Sequence, residues 1–310
     1  MSATFSTARF RRGKSAADRE KMTKGRVAVY VALALVLFVS IAPLLVVLKT
    51  ALSSPKGFYS SADKLIPSNP TLFNFKRALG MVSNEESIAV GGSGADFNFL
   101  IALRNSVIFV GVGLVGQLFF STLAAYAFAR LKFPFKKAIF ALMLAALMVP
   151  GVVLFIPNFI LMKDLHWLNS FQGQIAPFFL MTPFAVFFMR QFFLSIPVEL
   201  EESARLDGAT PFTIFRRVVA PLASGPIATL AILTTINLWN EFFWPWLVAK
   251  DKSKYPITVA LQSFKSQQPQ GGVDWTGLMA ATTLAFIPVL VLVMFLGKRV
   301  VESIQFSGSK

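Results

Sequence analysis

Apolar residues along this chain of 310 are gathered into six long stretches separated by polar segments. Val27 to Leu48, Ser106 to Ala129, Ala138 to Met162 and Thr276 to Gly297 contain no charged side chain. Ile175 to Leu194 carries only Arg190, near one end, and Leu222 to Val248 carries only Glu241, near its end. A hydrocarbon core of about 30 Å takes roughly 20 residues of helix to cross. The pattern therefore predicts an all-α membrane protein with six transmembrane helices, and an even number of spans puts both termini on one side.

Composition agrees with the pattern and charge orients it. With 55% hydrophobic and 15% charged residues, the chain is too apolar for a water-facing fold. Thirty Lys and Arg against fifteen Asp and Glu leave a net charge of +15. Nucleic acid as a partner would account for the charge and leave the apolar runs unexplained. Topology accounts for both. With both termini inside, the inner segments 1–26, 130–137, 190–221 and 298–310 hold 19 basic residues in 79 positions, against 11 in 95 for the outer segments. By the positive-inside rule both termini are cytoplasmic.

The domain organisation follows. Residues 1–26, with Arg9, Arg11, Arg12, Lys14, Arg19, Lys21, Lys24 and Arg26, form a basic arm with little to bury, read as disordered against anionic lipid headgroups. Residues 27–300 form the six-span domain, and 301–310 a cytoplasmic tail. The first apolar run, preceded by a long polar lead and followed by no small-residue cleavage site, reads as an anchor rather than a signal peptide. The outer loop 50–104 has turn signals at Ser53-Ser54-Pro55 and Gly91-Gly92-Ser93-Gly94. It also has Phe73, Phe75, Phe97 and Phe99, enough apolar surface for a small folded cap.

Several motifs carry no chemistry. Gly111, Gly113 and Gly116 spell a dinucleotide fingerprint, but inside an uncharged span small residues serve close helix packing, and Ser121, Ala125 and Ala129 continue the row. There is no Walker-type phosphate loop and no cysteine, and His166 is the only histidine, with only Asp164 near it; a metal site or catalytic dyad is not expected. Prolines 43, 150, 157, 177, 183 and 288 predict broken or kinked helices. Gln117, Asn158, Thr234, Thr235 and Asn237 lie at membrane depth, either along a passage for an uncharged polar solute or in hydrogen bonds between helices. Trp239-Asn240-Glu241-Phe242-Phe243-Trp244 ends the fifth span. Asn240 and Glu241 there either line a polar pathway or belong to an interfacial belt.

Between spans four and five the segment IPVELEESARLDGATPFTIFRRVVAP reads as a helical hairpin. Pro197 suits a first helical position and Glu199, Glu201 and Glu202 suit the positive end of the helix. Leu200, Ser203, Ala204 and Asp207 share a narrow face, Gly208 stops the helix, and Thr210 with Pro211 opens a second one.

This segment resembles the cytoplasmic loop of the permease subunits of binding-protein-dependent ATP-binding-cassette importers, specifically the maltose-type carbohydrate group. Glu202, Ser203 and Ala204 stand where that loop has Glu-Ala-Ala, followed at the right interval by Gly208 and by Val218, Ala220 and Pro221. Asp207-Gly208-Ala209 matches the usual Asp-Gly-Ala. Asn105-Ser106, the run from Ala125 to Phe133, Ile156-Pro157 and Trp239-Asn240-Glu241 extend the resemblance over residues 30–300. Ser203, Val218 and Ala220 are mild departures, and the tail lacks the group's glycine-rich ending.

The resemblance implies an ABC importer permease fold in the bacterial inner membrane. It implies that Glu202, Ser203, Ala204, Asp207, Gly208 and Ala209 dock a coupling helix into a separate ATPase dimer. It further implies a second, homologous permease, an extracytoplasmic solute-binding protein and a sugar or oligosaccharide as cargo. ATP would be used by the partner, with no cofactor bound by this chain. Asn237, Trp239, Asn240 and Glu241 are the candidate pathway residues. A stand-alone secondary carrier or channel, resting on Glu241 alone, is the alternative.

Overall fold

The computed structural model describes residues 16–58, 64, 66–67, 69–265 and 272–307. Most of the basic arm, with Arg9, Arg11, Arg12 and Lys14, and the last three residues of the tail lie outside them. All regular structure among the described residues is helical. The helices are α1 (Ala16–Leu52), α2 (Phe73–Ala78), α3 (Asn84–Ala89), α4 (Phe99–Arg130), α5 (Lys136–Ala146), α6 (Phe155–Asp164), α7 (Phe171–Phe179) and α8 (Pro183–Ser195). They continue with α9 (Glu199–Leu206), α10 (Pro211–Ile214), α11 (Ala220–Leu222), α12 (Ser224–Asn240), α13 (Phe243–Val248), α14 (Ile257–Ala260) and α15 (Trp275–Ser307).

Three helices are long and apolar enough to cross a membrane unaided: the Gly25–Leu52 part of α1, α4, and the Trp275–Phe295 part of α15. Three further candidates are bent pairs: α5 with the segment Gly151–Asp164 at 98°, α7 with α8 at 40°, and Pro211–Leu222 with α12 at 81°. Three expected spans are thus not single rods. The physical cause lies at the joints. Pro150 lacks the N–H that would continue α5, and Pro183 opens α8 at its first turn. The fifth expected span ends at Asn240 rather than Val248, because Glu241 turns to an extended conformation, φ −65° and ψ 124°.

Helix α4 is the axis of the bundle and packs on α7, α8 and α12. It starts at Phe99, before the expected Ser106, because the Asn98 side chain accepts a bond from the Ile101 N–H (3.1 Å) and caps the helix earlier. Its 32 residues run about 48 Å, longer than a hydrocarbon core. One core cluster joins Tyr126, Met189, Phe193, Ile214, Val219 and Leu230 at the C-terminal end of α4. Another, with Phe109, Val110, Ile175 and Leu238, lies nearer its middle. Helix α1 is peripheral: from Gly25 to Ile41 every residue is exposed, an arrangement suited to lipid and not to water.

The glycine row is a packing device. A Cβ on Gly116 would overlap the ring and carbonyl oxygen of Phe179, and one on Gly113 would press on Leu238 Cδ1 at 3.1 Å. α4 thereby approaches both α7 and α12 closely.

The described part of segment 50–104, from Asn69 on, is folded and pinned. Arg77 and Asp274, both buried, pair at 2.7 and 3.2 Å. Ser93 donates to the same carboxylate through its N–H and hydroxyl (2.9 and 2.6 Å), and Asn74 donates to the carbonyls of Ala51 and Ser53. This staple joins the ends of α1 and α15 to the loop between α1 and α4.

Candidate functional site

The hairpin after α8 is built by local rules. α9 carries Glu199, Glu201 and Glu202 in its first turn and Arg205 in its last, the placement that the helix dipole favours. It begins two residues after Pro197, at Glu199, with no side-chain cap. It ends in a Schellman motif: the N–H of Gly208 bonds the Arg205 carbonyl and that of Ala209 bonds Ala204, both at 3.0 Å. Gly208 takes φ 79°, where any side chain is strained. Thr210 then caps α10, its hydroxyl accepting from the Thr213 N–H at 3.3 Å, with Pro211 in the first turn. A π-helical turn, Phe215–Val219, carries the chain to α11 and puts Phe215 and Val219 into the core.

One ion pair sets the hairpin against the bundle. Glu201 is fully buried, its Oε1 2.6 Å from Arg130 Nε at the end of α4. Its Oε2 faces the Tyr126 hydroxyl at 3.4 Å and Arg205 at 3.7 Å. Arg130 also donates to the Ile196 carbonyl. Aromatic packing adds to this, with Phe215 5.4 Å from the Tyr126 ring. Ile214, Phe215 and Val219 enter the core and Ala204 and Ala209 pack against it, whereas the opposite face of the hairpin is open. Glu202, Ser203, Asp207 and Gly208 are exposed, Ala204 and Ala209 are half-buried, and Leu206 and Phe212 expose 90% and 54% of their surface. Leu206 and Phe212 thus leave apolar surface exposed at the tip of the hairpin, with Asp207 beside Leu206.

The other candidate residues sit at the C-terminal end of α12, a helix about 26 Å long that starts beside the hairpin. Asn237 and Asn240 are exposed on one face with Leu233, whereas Trp239 is half-buried against the Phe109 cluster. Asn240 donates to the Ile236 carbonyl at 2.8 Å. Glu241 accepts the Trp244 N–H at 3.0 Å, and its carbonyl accepts the Thr258 hydroxyl at 2.8 Å. The carboxylate thus caps the break between α12 and α13. Gln117 donates to Thr182 at the α7–α8 joint, so it serves a hydrogen bond between helices. No group of three or more His, Asp or Glu that could hold a metal occurs among the described residues.

Three residues named in the sequence have positioning contacts that the sequence does not show. Glu201 is indistinguishable from its neighbours in a run of acids, and its partner is 71 positions away. Arg130 enters the sequence pattern as a topology charge and as part of the Ala125–Phe133 run, with no sign of its pairing. Asn105, fully buried, donates to the carbonyls of Ser253 and Tyr255 and so ties α4 to the segment before α14.

Residues 117–305, more than half of the chain, match the model of the family described as the binding-protein-dependent transport system inner membrane component. The chain belongs to this family. This permease is 36% identical over 206 residues to an arabinooligosaccharide transport system permease protein of Bacillus subtilis, covering 66% of this chain and 72% of the relative. It is 30% identical over 263 residues to an sn-glycerol-3-phosphate transport system permease protein of Salmonella typhi, covering 84% and 89%. A chain of a bacterial ABC transporter involved in the import of the acidic polysaccharide alginate superposes with a TM-score of 0.74 at 22% identity, over 92% of the permease and 98% of that chain. That likeness establishes the fold.

The protein is thus a transport subunit of the inner membrane rather than an enzyme. The family's description makes its members the inner membrane component of a transport system that depends on a binding protein. Family membership replaces the stand-alone carrier reading, and the Glu241 carboxylate on which that reading rested is a helix cap.

Proposed function

We propose that this permease imports a carbohydrate or a carbohydrate-derived polar solute, with each bent helix pair acting as one of six spans and both termini in the cytoplasm. The sugar class is supported by the printed activities of its relatives, an arabinooligosaccharide and sn-glycerol-3-phosphate. Segment 196–221 is the coupling hairpin. Glu202, Ser203, Ala204, Asp207, Gly208 and Ala209 form its docking surface for the ATPase subunit, which uses ATP. The single observation that carries this reading is the exposed apolar tip on a helix held to α4 through the Glu201–Arg130 pair. ATP-driven closure of the ATPases moves the hairpin, and α12, which starts beside it, transmits the movement to Asn237, Asn240 and the α12–α13 break. Asn237 and Asn240, with Trp239 and Glu241 at the joint, face the solute pathway. The arm 1–26 and tail 301–310 flank the six-span domain on the cytoplasmic side.

Gly208→Val tests the coupling role. A branched side chain at φ 79° strains the turn by about 1–2 kcal/mol and displaces the tip. Membrane insertion is expected to persist, while ATPase association weakens on the order of tenfold and uptake falls in parallel. Normal uptake by a correctly assembled variant rejects the coupling role.

A further inference from the structure

At the end of α4 that carries the hairpin, a second feature has no part in coupling. A cavity of about 190 Å³ opens between α4, α5 and α8, lined by Phe128, Lys136, Lys137, Phe140, Leu144 and Arg190, with Ala141 completing the wall. Three of these side chains are cations and none is an acid. Arg190 lies over Phe140, its Cζ 4.4 Å from the ring centroid, and donates through Nε to the Phe128 carbonyl at 3.1 Å. Its two terminal nitrogens have no partner among the described residues. Lys136 donates to the Leu131 carbonyl at 2.9 Å, and the Lys137 ammonium has no partner among the described residues.

Three clustered cations with no acid in the lining make this cavity attractive to an anion. Lys136 and Lys137 occupy the first two positions of α5, where the helix dipole disfavours cations. Arg190 adds a third positive charge to the same cavity, and like charges at close range repel. The nearby buried carboxylate, Glu201, is already committed to Arg130.

We propose that this cavity is a binding site for the phosphodiester of an anionic phospholipid. The shape of the lining favours a lipid over a free phosphate. Lys136, Phe140 and Leu144 follow one another at i, i+4 and i+8 along one face of α5, so the wall passes from charged to apolar along a single stripe. The outer face of the same helix, with Ile139 at 46% and Leu142 at 73% exposed, is already a surface for acyl chains. A phosphate at the lysine end and a chain running past Phe140 and Leu144 match that gradient. Basic pockets between spans recognise lipid headgroups in this way. The inference rests on the membrane location of the family and not on the sugar or on the coupling role.

The test uses the assembled transporter in nanodiscs of phosphatidylcholine with or without phosphatidylglycerol, with lipid retention read by native mass spectrometry after release into detergent. The wild type is expected to retain phosphatidylglycerol over phosphatidylcholine. Lys137→Gln should weaken retention roughly fivefold and the combined Lys136→Gln, Lys137→Gln and Arg190→Gln variant on the order of a hundredfold. Lys132→Gln, exposed and outside the cavity, should change nothing. If the triple variant fails to assemble, Lys137→Gln against Lys132→Gln decides, because Lys137 holds no structural bond. Equal retention by wild type and Lys137→Gln overturns the proposal. So does displacement of the lipid by millimolar inorganic phosphate, which would mark a site for free phosphate. Unchanged lipid retention with weakened ATPase association would make the cavity a protein contact and likewise overturn it. Loss of lipid retention with Gly208→Val uptake still normal would leave this site standing and the coupling reading rejected.

Discussion

Two adjacent glutamates on α9 have opposite surroundings, one buried and one exposed, and a single-residue comparison tests whether they act differently. Glu201 is fully buried against Arg130, so Glu201→Gln leaves an unmatched guanidinium that is only 11% exposed. Breaking such a pair costs about 3 kcal/mol or more, and the expected outcome is a lowered unfolding temperature of the permease in detergent together with weakened ATPase association. Glu202 is exposed, and Glu202→Gln should leave the unfolding temperature unchanged while reducing ATPase association alone. Equal thermal effects for the two variants would refute the assignment of Glu201 as the positioning residue. Sequence pattern located this acidic turn through its capping, its dipole and its resemblance to the family loop. It could not rank the acids, because burial at Glu201 is set by Tyr126 and Arg130, 75 and 71 positions earlier.

At the scale of elements, the bundle depends on close approach of helices that are themselves broken. Gly116 has no room for a Cβ beside Phe179, so Gly116→Ala forces α4 and α7 apart. Overpacking of this kind costs typically 1–3 kcal/mol, read as a fall in the thermal midpoint of the detergent-solubilised protein. Gly111 meets nothing within 4 Å, so Gly111→Ala serves as the control with no loss. The six apolar runs were legible from hydropathy, since each must cross or line a hydrocarbon layer. The bends were legible only as proline positions. Hydropathy averages over residues and is blind to direction, so a run such as Ala138 to Met162 reads as one rod although its two halves meet at 98°. Whether freed backbone groups at a joint find partners depends on neighbouring helices, as where the Thr182 N–H reaches the Ser121 hydroxyl of α4.

For the whole molecule, the staple between Arg77 and Asp274 makes the segment 73–95 part of the body that contains the start of α15. Burial alone raises the Asp274 carboxyl, but bonds from Arg77, Ser93 and the Gly277 N–H, with the Arg77 charge, outweigh it and bring the pKa from 3.8 down to about 2. The sign follows: a depressed carboxylate stabilises the fold above its unfolded pKa and loses that contribution as pH falls toward 2. The amount is about 2–3 kcal/mol, flat through neutral pH. Asp274→Asn is expected to remove the acid dependence between about pH 4 and 2 and to abolish joint protection of residues 73–78 and 275–281 in hydrogen exchange. Retained protection in that variant would show that the staple does not join the two segments.

The sequence by itself determined the lipid-facing character of the chain, its helical class, the hairpin with its glycine stop, and the resemblance that family membership upholds. All of these rest on interactions within one helix or between residue and solvent, which local order records. Tertiary structure alone decided that Glu241 caps a helix, that Glu201 holds the hairpin, that Arg77 is pinned to Asp274, and that Lys136, Lys137 and Arg190 share a cavity. Each of these depends on an approach in space, whether across a broken helix or between residues far apart in the chain. Periodicity carries no record of distances of that kind, because they are set by how bent helices pack around α4.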